Sequence, residues 1–230
     1  MHLLFIIYNY YIMIKYFTIY GERCSGTNFL MHSLENNFDI NFTSEYAWKH
    51  FFGHYNFDNL SEENNNETLF IGIIRNPIEW INSFFQNMHH IPIENKLNIR
   101  TFLFNTFYSV YGDNSEIIED RNLITKERYN NIFELRKVKN NFLINDMKNK
   151  VKNYILIRYE DLRDHYDHVL EFLHQKFKLV KKNDNYIKIE TYKGNNNHPF
   201  FIKPIKLPKR IIHRIKENVD KEQENSLGYL

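Results

Sequence analysis

A short stretch of the chain combines residue types that can bind an anion. Residues 22–30 read ERCSGTNFL, so Gly26 stands between the hydroxyl side chains of Ser25 and Thr27. A turn of this kind between a strand and a helix presents backbone N–H groups at the positive end of the helix, and a glycine lets an anion approach them closely. Arg23 adds a planar guanidinium that suits phosphate or sulfate oxygens. The same tripeptide is common at ordinary helix N-termini, so this stretch alone allows either interpretation.

A second candidate for anion binding follows residues 69–74, LFIGII. This segment is apolar on both faces, which predicts a buried strand in a parallel sheet covered by helices. It ends at Arg75, and Pro77 can then occupy the first turn of a helix. Ser83 lies two helical turns beyond Arg75, so one anion beside the start of this helix could contact both side chains.

The elements that must position these residues repeat in one order, which is strand, loop, helix. Strands are predicted in residues 14–20, 44–50, 69–74 and 154–159, and a helix with an apolar stripe is predicted in residues 162–177. This alternation predicts a three-layer α/β/α fold with a mostly parallel central sheet. Because the carboxyl ends of parallel strands meet at one edge, both candidate stretches are expected there.

Length and composition favour a single domain over residues 1–230. Lys and Arg number 30 against 28 Asp and Glu, and the net charge of +2 gives no reason to expect a nucleic-acid partner. The single cysteine, Cys24, excludes an internal disulfide framework and a multi-thiolate zinc site. It suits a reducing compartment, so a cytoplasmic location is predicted. The sequence does not indicate an oligomeric state.

Three further segments complete the predicted organisation. Residues 1–14 are apolar but fall short of the roughly 20 residues that a membrane-spanning helix needs. A buried strand or an N-terminal extension packed on the core is predicted instead, with no membrane span. Residues 91–150 have helical spacing and few Gly or Pro, which predicts a helical insertion. A last amphipathic helix is predicted in residues 208–218.

Together the two candidate stretches resemble the sulfotransferases that use 3'-phosphoadenosine 5'-phosphosulfate, PAPS. The pattern R-x-S-G-T-x-x-L covers residues 23–30, and R-N-P-x-x-x-x-x-S covers residues 75–83 with the family's Arg-to-Ser interval. Residues 158–162, RYEDL, resemble the family's Y-E-D-L segment, and residues 227–229, LGY, resemble a common family tail. The resemblance implies a P-loop-NTPase-like fold. It also implies an enzyme that transfers a sulfuryl group from PAPS to a hydroxyl or amine and releases adenosine 3',5'-bisphosphate.

The resemblance also implies roles for individual residues. In the family, the first loop holds the 5'-phosphosulfate, the later Arg and Ser hold the 3'-phosphate, and the Tyr of Y-E-D-L lies near the adenine. In this sequence the roles fall on Arg23, Cys24, Ser25, Gly26, Thr27 and Asn28 for the phosphosulfate, on Arg75 and Ser83 for the 3'-phosphate, and on Phe29 and Tyr159 for the adenine. Lys193 resembles a residue of the basic, glycine-containing loop that closes over the 3'-phosphate.

The acceptor side of the site is predicted from residues 47–50, AWKH, which resemble the Lys-and-His strand end of members whose His acts as base. We therefore predict His50 as the base, with Lys49 and Arg23 stabilising the charge that develops during transfer. Because some members use Glu as the base, Glu22 and Glu79 are the alternatives. The acceptor is expected to be a small molecule or a carbohydrate, with PAPS as co-substrate and no metal.

One departure from the family pattern keeps two alternatives open. Cytosolic members usually carry Lys where this sequence has Cys24, which leaves open the cation that meets the transferred group. An ATP-dependent P-loop kinase would need Lys after Gly26, where Thr27 stands, and an acidic magnesium ligand at the strand end, where Arg75 stands. A non-catalytic relative that holds PAPS or a glycan is the third interpretation, and Cys24 is its best support.

Overall fold

Four parallel strands form the sheet in a computed structural model that describes residues 13–50, 60–191 and 204–230. The strands are β1 (Tyr16–Tyr20), β2 (Asn41–Phe42), β3 (Thr68–Ile74) and β4 (Asn153–Arg158), and their order in the sheet is β2-β1-β3-β4. Phe17 is in register with Leu69, and Leu69 with Asn153. The chain thus runs from β1 to β2 on one side and returns to the other side for β3 and β4.

Helices follow the strands and are fixed by local chemistry at their starts. The α-helices are α1 (Thr27–Asn37), α2 (Glu62–Glu67), α3 (Pro77–Gln86), α4 (Ile99–Phe104), α5 (Ile132–Asn141), α6 (Tyr159–Asp164), α7 (Tyr166–Phe177), α8 (Lys209–Asn218) and α9 (Lys221–Ser226). Asn76 caps α3 by accepting hydrogen bonds from the N–H groups of Ile78 and Glu79, and Pro77 fills the first turn. The start of α3 therefore lies directly after β3.

Apolar side chains cover both faces of the sheet. Alternate residues of β3 point to opposite sides: Leu69, Ile71 and Ile73 belong to one buried cluster, and Phe70 and Ile74 to another. The first cluster includes the buried faces of α1 and α7. The second includes Phe142, Leu143, Met147 and Val151 from the segment before β4. The sheet is therefore the middle of three layers, as the apolar run of β3 predicted.

A third apolar cluster lies beside the layered core and joins α3 to the segment that follows it. Its members include Trp80 and Phe84 from α3, Phe102 from α4, Leu135 from α5 and Ile215 from α8. This cluster connects the predicted insertion and the last amphipathic helix to the end of β3. It determines which residues of the insertion come close to the strand ends.

Three predictions about elements are wrong. Residues 44–50 form no strand, because pairing with β1 ends at Phe42 and the following chain turns toward the end of β1. The helix predicted in residues 162–177 is interrupted at His165, which separates α6 from α7. The insertion, residues 91–150, is less helical than predicted, because turns and isolated β-bridges occupy the part between α4 and α5.

The predictions for the two ends of the chain can be compared with the structure only in part. The last amphipathic helix is confirmed as α8, with Ile211 and Ile215 buried. Residues 1–12 lie outside the described residues, so the expected packing of the N-terminal extension is not described. Among the helices of the described residues, none has the length and apolar character needed to cross a membrane.

Candidate functional site

The candidate site lies at the carboxyl ends of β1 and β3, which are neighbours in the sheet. The connections from these two strands lead to opposite sides of the sheet. In open α/β sheets such a switch point leaves a crevice outside the strand ends, where ligands bind. Residues 21–28 follow β1 and residues 75–77 follow β3, so the two predicted anion-binding stretches meet there.

The loop after β1 has a conformation that requires glycine. Gly26 has a φ of +95°, in the left-handed region, and a Cβ there would lie 2.3 Å from Cδ2 of Tyr159. The N–H of Ser25 donates to the carbonyl oxygen of Glu22 at 3.0 Å, which closes the turn. Gly26 is also the cap position of α1, and no side chain of the described residues caps that helix. The positive end of α1 therefore adjoins the loop, as an anion site requires.

Solvent reaches the loop at alternate residues. Cys24, Gly26 and Asn28 are partly exposed, whereas the side chains of Ser25 and Thr27 are buried. The two hydroxyls predicted as donors to the phosphosulfate are thus on the inner side of the loop. Backbone groups, together with Asn28, form its accessible side.

The guanidinium of Arg23 points into the interior, which disagrees with its predicted role at the transferred group. Its side chain is 0% exposed. Nε donates to Oε1 of Glu22 at 2.7 Å, Nη2 to Oδ2 of Asp120 at 3.2 Å, and Nη1 to the carbonyl oxygen of His90 at 3.1 Å. The ring of Phe84 lies 4.8 Å from Cζ. Because these contacts engage the whole fork, Arg23 stabilises the inner side of the loop in this conformation.

Arg23 belongs to a group of four charged side chains, Glu22, Arg23, Asp120 and Lys139, which we call the buried charge cluster. Lys139 donates from Nζ to carboxylate oxygens of Glu22 and Asp120, and to the carbonyl oxygen of His50 at 2.9 Å. Burial alone would raise the pKa of Glu22, but Lys139 and Arg23 hold it well below its usual range. For Asp120, burial prevails and raises the pKa. Two carboxylates and two cations thus connect the loop to the insertion.

His50 and Lys49 lie against the same loop although they belong to no strand. Nδ1 of His50 is 2.7 Å from the carbonyl oxygen of Gly21, so the neutral ring donates from Nδ1 and carries its basic lone pair on Nε2. Burial lowers the pKa of His50 to about 3, so the ring is neutral at pH 7. Lys49 donates from Nζ to Oδ1 of Asn28, and burial lowers its pKa. The structure therefore brings the predicted base and its cationic neighbour to the predicted anion loop.

A second group of charged residues, Arg75, Glu79 and Arg163 with Tyr159, lies at the carboxyl end of β3; we call it the arginine–tyrosine cluster. Cζ of Arg75 lies 4.3 Å from the centre of the Tyr159 ring, and Nη1 donates to the carbonyl oxygen of Cys24 at 3.2 Å. Nη2 donates to Oε2 of Glu79 at 3.1 Å, and Nη1 of Arg163 donates to the same oxygen at 3.0 Å. One carboxylate therefore bridges two guanidinium groups beside the loop.

The residues predicted to contact adenine are buried against each other. The rings of Phe29 and Tyr159 meet edge to face with their centres 6.4 Å apart, and Arg75 covers Tyr159. Their predicted role disagrees with this arrangement, because neither ring offers an open face to a base. Ser83 is buried on α3, one turn beyond Glu79. Lys193 lies outside the described residues.

The Y-E-D-L segment connects the strand ends through Glu160. Its Oε1 accepts a hydrogen bond from the N–H of Asn76 at 2.9 Å, and its Oε2 accepts one from the hydroxyl of Tyr229 at 2.8 Å. The carbonyl oxygen of Leu227 accepts one from Nη1 of Arg158 at 3.0 Å. Residues 227–229 are thus held at the end of β4.

Sequence reasoning missed Arg163, Asp120 and Lys139. Arg163 could have been found, because it follows Tyr159 by four residues on a helix, just as Glu79 follows Arg75. Asp120 and Lys139 carry no such signal, since their partners lie far away in sequence. Among the described residues, no three His, Cys, Asp or Glu side chains gather in a way that could hold a metal ion.

Comparisons of the chain with models of protein families, with curated proteins and with solved structures find no match.

Proposed function

We propose that this chain is a PAPS-dependent sulfotransferase that acts on a small-molecule or carbohydrate hydroxyl or amine. The contacts of Arg75 carry the proposal. Its guanidinium touches the carbonyl oxygen of Cys24 at 3.2 Å and the ring of Tyr159 at 4.3 Å. The three stretches whose combination resembles the family, at residues 23–30, 75–83 and 158–162, thus converge on one buried cation at the switch point of the sheet.

The accessible side of the loop suits the phosphosulfate. Backbone N–H groups from Ser25 to Asn28 and the positive end of α1 would hold its oxygens. Lys49, rather than Arg23, is the cation assigned to the transferred group. Lys49 lies beside Asn28 on the accessible side of the loop, whereas the guanidinium of Arg23 is paired with Glu22 in the interior. Arg75 would bind the 3'-phosphate, which distinguishes PAPS from ATP.

His50 remains the best candidate for the base. In the transfer, the acceptor oxygen or nitrogen forms a bond to sulfur while the bond from sulfur to the bridging phosphate oxygen breaks, and the acceptor proton passes to Nε2 of His50. The alternative bases are less suitable, because Lys139 and Arg23 hold the pKa of Glu22 well below its usual range and so make it a poor proton acceptor, and Glu79 is engaged by Arg75 and Arg163. A pKa of about 3 makes His50 a weak base, so bound phosphosulfate would have to raise it.

The proposal is tested by nucleotide discrimination. The thermal midpoint of the purified chain is measured with adenosine 3',5'-bisphosphate, with adenosine 5'-monophosphate, and with ADP plus magnesium. A ligand that binds the native state raises the midpoint by mass action, so we expect the largest shift with the bisphosphate. A shift only with the magnesium nucleotide would overturn the proposal in favour of phosphoryl transfer.

A single-turnover assay with labelled PAPS and mixed acceptors then separates catalysis from binding alone. Transfer of label to an acceptor, abolished in a His50→Asn variant that still binds the bisphosphate, supports the assigned base. Tight binding of the bisphosphate with no transfer to any acceptor would identify a non-catalytic PAPS-binding protein.

A further inference from the structure

Two guanidinium groups in the arginine–tyrosine cluster share a single carboxylate. Oε2 of Glu79 accepts from Arg75 at 3.1 Å and from Arg163 at 3.0 Å, and Oε1 accepts from Arg163 at 3.3 Å. The opposite edge of Arg163 is held by Asp164, at 2.7 Å from both Nε and Nη2. Within residues 13–50, 60–191 and 204–230, the edges of Arg75 and Arg163 that face each other thus have Glu79 as their one anionic partner.

Because Arg75 shares the Glu79 carboxylate with Arg163, one N–H group of its guanidinium lacks a hydrogen-bond acceptor among the described residues. Its side chain is only 8% exposed, and within the described part of the chain its Nε has no hydrogen-bond partner. A buried N–H group without an acceptor is costly, and each such group calls for an explanation. A carboxylate has two oxygens and one negative charge, whereas a phosphomonoester has three terminal oxygens and up to two charges. A phosphate in this position could serve both guanidinium groups and the orphan Nε.

The side chain of Glu79 can rotate away from the two guanidinium groups. Glu79 lies on the first turn of α3 with its side chain 24% exposed, so it can rotate toward solvent without unfolding the helix. The guanidinium of Arg75 is held in place by Tyr159 and by the carbonyl oxygen of Cys24, and that of Arg163 by Asp164. The two cations would therefore keep their positions when Glu79 moves away.

We infer that Glu79 is a built-in competitor at this site: its carboxylate occupies the place of a phosphomonoester, and Arg163 is a second guanidinium ligand of that phosphate beside Arg75. The inference rests on the proposed function in its choice of the nucleotide 3'-phosphate as the natural ligand. Weakly charged groups fail to displace Glu79, whereas a dianionic phosphate does. The site thus discriminates by charge as well as by shape.

The test is calorimetric titration of the full chain and its variants with adenosine 3',5'-bisphosphate, adenosine 5'-monophosphate and inorganic phosphate. Glu79→Gln removes the competing charge, so we expect about tenfold tighter binding of the bisphosphate and of phosphate. Arg163→Gln removes a ligand, and we expect about tenfold weaker binding of both. Binding of the 5'-monophosphate should change less than twofold, because its one phosphate would occupy the loop after β1 rather than this cluster. Arg163→Lys, which retains the positive charge, should fall between wild type and Arg163→Gln.

The chain contains a matched control in Glu116, whose carboxylate also bridges two arginines, Arg121 at 3.0 Å and Arg128 at 2.7 Å. Those guanidinium groups are far more exposed than that of Arg75, so Glu116→Gln should leave all three affinities unchanged. If a folded Glu79→Gln variant binds the bisphosphate with equal or weaker affinity than wild type, the proposed role of Glu79 as a competitor is wrong. Unchanged binding by both Arg163 variants would remove Arg163 from the site.

The outcomes also separate this inference from the proposed function. If Glu79→Gln tightens inorganic phosphate while wild type binds the two nucleotides equally, the anion site stands and the sulfotransferase proposal falls. If wild type prefers the bisphosphate but substitutions at Glu79 and Arg163 leave its affinity unchanged, the sulfotransferase proposal stands and this inference falls. If neither wild type nor Glu79→Gln binds any of the three probes, both fall.

Discussion

Two groups of charged residues contact the same glycine loop, and they differ in how completely their charges are matched. The buried charge cluster pairs two carboxylates with two cations, and all four side chains are less than a tenth exposed. The arginine–tyrosine cluster is more open, and Nε of Arg75 has no partner within the described residues. A matched, enclosed group holds a fold in one arrangement, whereas an incompletely matched group at a crevice has capacity for a ligand. The loop therefore has a structural side and a second side that we propose for ligand binding, called the binding side below.

Breaking the buried charge cluster should have the largest effect. Lys139→Met leaves Glu22 and Asp120 with Arg23 as the one cation that pairs with them among the described residues, and removal of one partner from a buried ion group typically costs about 3–5 kcal/mol. Urea denaturation should report a loss of this size in the free energy of unfolding. Lys137→Met is the control on the same helix, because its pair with Asp220 is exposed and worth about 0–1 kcal/mol. Equal losses in the two variants would contradict the distinction between the clusters.

Breaking the arginine–tyrosine cluster should affect ligand binding more than folding. If Arg75 binds the 3'-phosphate as proposed, Arg75→Ala removes a charged donor, and we expect a loss of about 1.5–3 kcal/mol in affinity for adenosine 3',5'-bisphosphate by calorimetry. Arg128→Ala is the matched control, because Arg128 also stacks on a tyrosine, with Cζ 3.7 Å from the Tyr108 ring, and pairs with Glu116. Unchanged affinity in folded Arg75→Ala would refute the assignment of Arg75.

The contact between the loop and the binding side can be tested at Gly26. Gly26→Ala places a Cβ against Tyr159 at a φ of +95°, and the backbone conformation alone costs about 1–2 kcal/mol for an L-residue. We expect a loss of at least that size in unfolding free energy, together with weaker binding of the bisphosphate. Gly112→Ala should have little effect on either quantity, because a Cβ at Gly112 meets nothing within 4 Å.

The smallest expected effect is the contribution of His50 to the pH dependence of the free energy of unfolding. The carbonyl oxygen of His50 accepts a hydrogen bond from Lys139, and its ring lies against Gly21. Its pKa is about 3 in the folded chain and about 6.5 in the unfolded chain, so the unfolded state takes up the proton first. Stability is therefore lost as pH falls from about 6.5 toward 3. Between pH 6.5 and 5.5 this contribution amounts to about 1 kcal/mol, and it should be missing in His50→Asn. Parallel stability curves for the two proteins would contradict a neutral His50 ring in the folded chain.

Periodic segments of the sequence predict the layered fold well. The run in residues 69–74 indicates a buried parallel strand because both of its faces are apolar, and β3 is buried along its whole length. Helix α3 begins where Pro77 predicts, and the structure adds Asn76 as its cap residue. The interruption at His165 could not be found in this way, because Leu162, Tyr166 and Leu173 keep helical spacing across it.

The location of the candidate site could be predicted, but the direction of its side chains could not. Strand order and the carboxyl-edge rule bring the loop, Arg75 and Tyr159 together, as the sequence indicates. Arg23 turns inward because the carboxylates of Glu22 and Asp120 attract its guanidinium there, and no short-range pattern identifies Asp120, in an irregular part of the insertion, as its partner. Tertiary contacts over long sequence distances therefore decide which arginine lies at the switch point of the sheet and which turns into the interior.

The parallel pairing of β3 with β4 has a consequence for how the molecule assembles in time. Leu69 pairs with Asn153, and the whole insertion lies between them. Contacts this distant along the chain form slowly, because the entropy of closing the intervening segment is lost before the contact stabilises anything. The pairing of β1 with β3 closes a shorter segment and can form earlier. Tyr159 and Arg163 follow β4, so we expect the binding side of the loop to be completed late in folding, on a sheet that already exists.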